Sequence, residues 1–200
     1  MFTAGLTGNF GMGKSCVLSL FRELGAVTLD ADGIVARLLD EEKVIRDIRK
    51  LFGKDVISPE GTLDKKAVAR KVFADEESRR KIEALLHPLV FGEIVRFTEK
   101  IKDKNCIVII EVPLLFEGEH HGRFGKVITV YTPEETAVER LVKSGFSKEE
   151  AIARLKAQLP IETKKARADY TIDNSGTREE TKRQVEEIYR SLTAEMRSRS

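Results

Sequence analysis

Short, continuously apolar runs alternate along the chain with longer stretches whose apolar side chains recur at helical spacing. Five runs read as strands: Phe2 to Thr7, Ala26 to Asp30, Cys106 to Val112, Lys126 to Thr132 and Tyr170 to Asn174. Their interiors, such as Ile107-Val108-Ile109-Ile110, are apolar at every position, as strands are when helices cover both faces of a parallel sheet. The pattern predicts an α/β fold with a five-stranded parallel sheet flanked by helices.

Helix signals punctuate the rest. After Ser15 the set Val17, Leu18, Leu20, Phe21 and Leu24 predicts a helix that Gly25 stops. Three capping boxes open later helices, Thr132 with Glu135, Ser147 with Glu150 and Thr177 with Glu180, and Pro133 takes the first helical position of the first. The segment of about 75 residues between the second and third strands is too long for a simple crossover and reads as a helical insertion. Within it Val44, Ile45, Ile48, Leu51 and Phe52 mark a helix ending at Gly53, and a turn follows at Pro59-Glu60-Gly61. Asp64 and Asp75 cap two more helices, and Pro88 starts another through Phe97.

Composition narrows the class. Of 200 residues 34% are charged and 41% hydrophobic, which excludes collagen-like, coiled-coil and disordered chains. A net charge of +2 lacks the excess that announces a nucleic-acid binder. Cys16 and Cys106 form neither a metal pair nor a disulfide framework, which fits a reducing compartment. The longest apolar stretches, residues 106–112 and 127–131, fall short of the ~20 residues that span a bilayer, and no apolar leader opens the chain. The expectation is a cytoplasmic monomer without nucleic-acid or membrane partners.

Chemistry enters with Gly8-Asn9-Phe10-Gly11-Met12-Gly13-Lys14-Ser15, which satisfies the phosphate-loop pattern between a strand and a helix. The glycines let backbone N–H groups turn around phosphate oxygens, Lys14 brings charge to the β and γ phosphates, and the Ser15 hydroxyl can reach Mg²⁺. A dinucleotide-binding loop is disfavoured, because no third glycine stands at the required offset. Asp30 and Asp32 follow the second strand at the sheet edge where ligands gather, and either can orient an acceptor hydroxyl, support Mg²⁺ or simply cap the helix after Ala31. Glu111 and Glu117 bracket Val112-Pro113-Leu114-Leu115-Phe116, and Glu111 is placed either to support a metal water shell or as a plain surface carboxylate. Residues 140 to 169 hold eight basic and four acidic side chains, a cationic helical flap of which Arg140 and Arg154 are the candidate phosphate contacts, most such charges being solvated helix faces. His87 precedes Pro88 in the insertion, and His120 and His121 read as exposed loop residues.

Further motifs accompany these: Gly5-Leu6-Thr7-Gly8, Asp30-Ala31-Asp32 with Ala36-Arg37, Phe52-Gly53, Gly61-Thr62-Leu63-Asp64, Leu86-His87-Pro88-Leu89-Val90, Val112 to Glu117, Glu139-Arg140-Leu141, Ala157-Gln158 with Pro160, and Ala168-Asp169 with Ile172 to Gly176. With them the chain resembles the dephospho-CoA kinase family over nearly its whole length. The resemblance implies a phosphate-loop NTPase fold and transfer of phosphate from ATP, with Mg²⁺, to the ribose 3′-hydroxyl of dephospho-CoA, giving coenzyme A and ADP in the last step of coenzyme A biosynthesis. It implies a nucleotide-binding core at 1–33, 103–137 and 163–200, a substrate-binding insertion at 34–102 and a lid at 138–162. By the same resemblance Asp32 is the base, and Lys14 and Arg140 act on the transferring group. Gly8, Gly11, Met12, Gly13, Lys14, Ser15 and Cys16 hold phosphates, with Arg140 from the lid and Asn174 to Gly176 beside adenine. Asp32, His87 and Leu115 meet the acceptor, Ser15 binds Mg²⁺, and Glu111 reaches it through water. Cys16, Ser144 and Glu111 stand where relatives commonly carry Thr, a second lid Arg and Asp.

Two other readings fit less of the chain. A nucleoside monophosphate kinase would explain neither the insertion nor the tail motif. A guanine-nucleotide switch would use Asp30-Ala31-Asp32-Gly33, but the chain has no Asn-Lys-x-Asp segment to read the base.

Overall fold

The structure, a computed structural model, describes residues 1–103 and 105–199. They separate into two compact units, one of residues 1–30 and 102–199 and one of residues 31–101.

The first unit is built on five strands, β1 (Phe2–Thr7), β2 (Val27–Asp30), β3 (Ile107–Glu111), β4 (Lys126–Tyr131) and β5 (Tyr170–Asp173). They lie in the order β2-β3-β1-β4-β5, every neighbouring pair parallel. All five C-terminal ends therefore share one edge, and the chain order reverses around β1, the place where ligands of open α/β sheets bind. Each strand ends within one residue of the hydrophobic run that predicts it.

One face is covered by α1 (Lys14–Glu23) and α9 (Arg178–Ser198). Val17, Leu18, Leu20 and Phe21 of α1 and Val185, Ile188, Leu192 and Met196 of α9 form one buried cluster with Ala4, Leu6, Ile107, Ile109, Ile128, Val130 and Ile172 of the sheet. Val108 and Ile110 alternate with Ile107 and Ile109 and are as fully buried on the opposite face. There α8 (Ile161–Arg167) packs on β4. The unit is completed by α6 (Glu134–Lys143) and α7 (Lys148–Lys156), which contact each other.

Two of the three expected capping boxes form: Ser147 with Glu150 opens α7, and Thr177 with Glu180 opens α9. The box at Thr132 and Glu135 does not. Pro133 is itself the cap residue of α6, and the Thr132 side chain lies in the interior with its hydroxyl unpartnered among the described residues. The chain is still extended as it leaves β4, so Thr132 turns inward and not toward the helix end.

The second unit holds α2 (Ala31–Leu38), α3 (Glu42–Phe52), α4 (Lys65–Ala74) and α5 (Glu76–Lys100). Gly53 ends α3, and a turn at residues 58–62 closes with Ser58 N–H on the Thr62 carbonyl at 2.8 Å. Asp64 caps α4 through Ala67 N–H at 2.9 Å, and Asp75 caps α5 through the amides of Glu77 and Ser78. The expected helix start at Pro88 is overturned, because α5 runs through that proline without a break. An interior proline costs about 3 kcal/mol. Ile82 and Leu86 before it and Val90, Phe91 and Ile94 after it are buried, and at roughly 1.5–3 kcal/mol for each side chain their burial outweighs that cost.

Candidate active site

The loop between β1 and α1 wraps the C-terminal edge of the sheet. Gly8 lies so close to β4 that a side-chain carbon there would sit on the Val130 carbonyl oxygen. Gly13, at φ 83°, has a backbone that side chains resist, and a carbon there would collide with the Asn174 amide. No side chain caps α1, so the positive end of its dipole is left to an external anion. The Lys14 ammonium reaches back to the Asn9 carbonyl at 3.3 Å, and Ser15 is exposed in the first turn.

Behind the loop Asn174, buried at the end of β5, donates Nδ2–H to the Met12 carbonyl at 3.0 Å and accepts from the Thr181 hydroxyl at 3.0 Å. Its own carbonyl takes a bond from Arg140 Nη2 at 2.8 Å. Arg140, in the last turn of α6, is thereby held against the loop. Ser175 and Gly176, which follow Asn174, are exposed beside an open cavity of about 530 Å³ that Asp173, Glu180, Arg183 and Gln184 also line. Of the expected nucleotide contacts, Asn174 thus supports the loop from behind, and Gly176 faces the cavity.

The segment joining α7 to α8 grips the loop from another side. Phe10 N–H donates to Gln158 Oε1 at 2.7 Å, and Asn9 Nδ2–H donates to the Leu159 carbonyl at 3.0 Å. Leu159 N–H donates to Glu117 Oε1 at 3.1 Å, and Lys164 Nζ lies 2.8 Å from that same oxygen. Lys164 is fully buried, which corrects its assignment to a solvated helix face. Burial pulls its ammonium below the usual lysine range, opposed by the Glu117 carboxylate. Nothing in the local charge pattern distinguishes Lys164 from its exposed neighbours, because the partner that admits it to the interior is 47 positions away in sequence. Arg154 lies over the rings of Phe10 and Phe146, at 5.2 and 4.8 Å from their centroids, and so braces the loop through stacking.

The carboxylates divide between the units. Strand register sets Asp30 opposite Glu111 at the C-terminal edge, Asp30 exposed and Glu111 7% exposed, so Glu111 is not a surface residue. Asp32 is exposed in the first turn of α2, and His87 is half-buried in α5, both in the second unit. Leu115 is 0% exposed and packs against Gly5, whereas Leu114 is 42% exposed. Leu115, the expected acceptor contact, thus has its side chain turned inward, and the side chain this turn presents outward is Leu114. Ser144 donates its hydroxyl to the Arg140 carbonyl at 2.9 Å and supplies no second cation.

Among the described residues no three His, Cys, Asp or Glu side chains cluster as a metal cage. One exposed hydroxyl at the helix start with a carboxylate at the neighbouring strand end fits Mg²⁺ carried in on phosphates, since that ion keeps several waters and takes few protein ligands.

A parallel sheet of this order, with a glycine-rich anion loop leading into an uncapped helix, defines a phosphate-loop nucleotide-binding protein of the small-kinase type. A shikimate kinase from Acinetobacter baumannii, at 17% identity and a TM-score of 0.54, shares that fold. Residues 2–180 match the dephospho-CoA kinase family model, and the chain belongs to that family. It is 43% identical over 190 residues to the dephospho-CoA kinase of Aquifex aeolicus, covering 94% of this chain and 96% of that one. To its counterpart from Symbiobacterium thermophilum it is 42% identical, covering 93% and 79%. Among solved structures, one from Thermus thermophilus superposes with a TM-score of 0.85 at 36% identity, covering 96% of this chain and 97% of that one. The dephospho-CoA kinase from Campylobacter jejuni gives 0.69 at 27%, with the same coverage.

Proposed function

We propose that the protein transfers the γ-phosphoryl group of ATP, carried with Mg²⁺, to the ribose 3′-hydroxyl of dephospho-CoA. The products are coenzyme A and ADP, in the last step of coenzyme A biosynthesis. The observation that carries this reading is the phosphate loop and its lysine at the topological switch of the sheet, in a chain whose family match covers residues 2–180.

The loop amides, from Gly8 and Gly11 through Cys16, cradle the donor phosphates in an anion site built before ATP arrives. Lys14 leaves the Asn9 carbonyl for the β and γ oxygens. Arg140 spreads its charge over the transferring group, in a segment at 138–162 that acts as a lid. Ser15 would give its hydroxyl to Mg²⁺, and Glu111 would support that ion through water. When bound, the cation would supply positive charge that neutralises the phosphates. Asp32 orients the acceptor hydroxyl and takes up its proton, Asp30 supports it, and His87 helps seat the acceptor in the insertion at 34–102. Adenine rests beside the turn at residues 174–176. The enzyme works in the cytoplasm as a monomer, and among the described residues no helix is long and apolar enough to cross a membrane.

Incubation with MgATP and dephospho-CoA, followed by mass spectrometry, is expected to show one phosphoryl group gained by the acceptor at the 3′ position. Transfer to a nucleoside monophosphate, with none to dephospho-CoA, would overturn the reading.

A further inference from the structure

A fully buried lysine needs a reason. Replacing a buried ion pair by apolar side chains of equal volume is often neutral or stabilising by about 1–4 kcal/mol, so stability alone does not account for Lys164 and Glu117. What an apolar pair could not do is satisfy the backbone around it. Glu117 Oε1 accepts the Leu159 N–H at 3.1 Å as well as facing the ammonium. Lys164 Nζ also donates to the Pro113 carbonyl at 3.3 Å, and that carbonyl takes the Thr7 hydroxyl at 3.1 Å.

The bonds close a circuit. Thr7 is the residue before the phosphate loop, and from it the path runs through Pro113, Lys164, Glu117 and Leu159 to Asn9, inside the loop. Gln158 adds a tie to Phe10 N–H. The entry of the loop and its first two variable residues are thus referred to one buried charge pair, and the loop glycines further on are too permissive to hold that shape unaided.

We propose that Glu117 and Lys164 are a positioning pair for phosphoryl transfer: they touch neither substrate, and they fix the seat of the Gln158–Leu159 peptide against the phosphate loop and so the shape of the donor cradle. Pre-organised donors lose their effect when displaced by a fraction of an ångström to an ångström, so the pair acts on ATP turnover through geometry. The inference rests on ATP occupying this loop. Failure of that reading would appear in the unsubstituted protein, whereas failure of the inference appears only in the variants.

The test compares Glu117→Leu, Lys164→Met and the double variant in the full chain by thermal melting, calorimetric binding of ATP and initial rates. Each single variant strands one buried polar partner and is expected to melt lower and to lose about tenfold or more in kcat/KM for ATP, with KM for dephospho-CoA within about twofold. The double variant removes both charges. It is expected to regain the parental melting temperature while keeping the tenfold loss and the weaker ATP binding, a split that a purely structural pair would not give. Recovery of ATP turnover together with melting temperature in the double variant would overturn the proposal, as would folded single variants within twofold of the parent. If every change at the pair prevents folding, Gln158→Ala decides from the half-buried end of the circuit. A threefold or greater fall in kcat/KM for ATP supports the proposal, and an unchanged value overturns it.

Discussion

At the scale of single residues, the site depends on side chains that shape the loop as much as on those proposed to meet phosphate. Lys14 is half-buried in the loop and adds no apolar side chain to the core cluster, so Lys14→Ala is expected to leave the melting temperature nearly unchanged. Removing its charge from the transferring group is expected to lower kcat by about 10³-fold or more, read by steady-state kinetics on folded protein. Gly13→Ala is expected to behave differently: φ 83° and the Asn174 amide both oppose the methyl group, so ATP affinity and melting temperature fall together. For Asp32→Asn, which keeps size but cannot take up a proton, kcat is expected to fall by about 10²–10⁴ with ATP affinity little changed. If Asp30→Asn abolishes turnover and Asp32→Asn does not, the two roles are exchanged. The phosphate loop between β1 and α1 and the strand end that carries Asp30 were legible in the sequence because their pattern is local. Lys164, Leu115 and the inward turn of Thr132 were not, because burial of each depends on partners brought together only by the sheet.

At the scale of elements, caps written in four consecutive residues proved readable, and the exception is informative. Ser147, Thr177, Asp64 and Asp75 all cap the helices that follow them. Thr132 fails because a strand, not a loop, delivers the chain to it. Pro88 misleads in the other direction, since the same residue type that opens helices is tolerated inside one when enough apolar surface is buried on either side. The box at α9 carries a pH prediction. The Thr177 amide, and then its hydroxyl, hold the Glu180 carboxyl below its ordinary value of 4.5. A depressed folded-state value means the stabilisation is present above pH 4.5 and is lost as the pH falls through the lower, folded value. Glu180→Gln is therefore expected to melt below the parent near pH 7, with the gap closing as the pH falls below 4.5 and through the lower, folded value, in a series of melting curves.

At the scale of the whole molecule, the last elements complete the first. The Met12 carbonyl is held by Asn174, Asn174 is held by Thr181 of α9, and α9 packs on α1, which begins at the phosphate loop. A chain ending after residue 174 would lack Val185, Ile188, Leu192 and Met196 from the core, and is expected neither to fold nor to bind ATP. Its circular dichroism and ATP titration would show this, and a folded, ATP-binding fragment would mean that α9 is dispensable. Synthesis supplies a different consequence of the same contact. The loop sequence is translated first, but its clasp lies 162 residues later, which at about 5–20 residues per second is a delay of roughly 10–30 s. Through that interval the nascent chain carries a nucleotide-binding motif whose clasp has not yet been made, so ATP capture is expected only once residue 174 has left the ribosome.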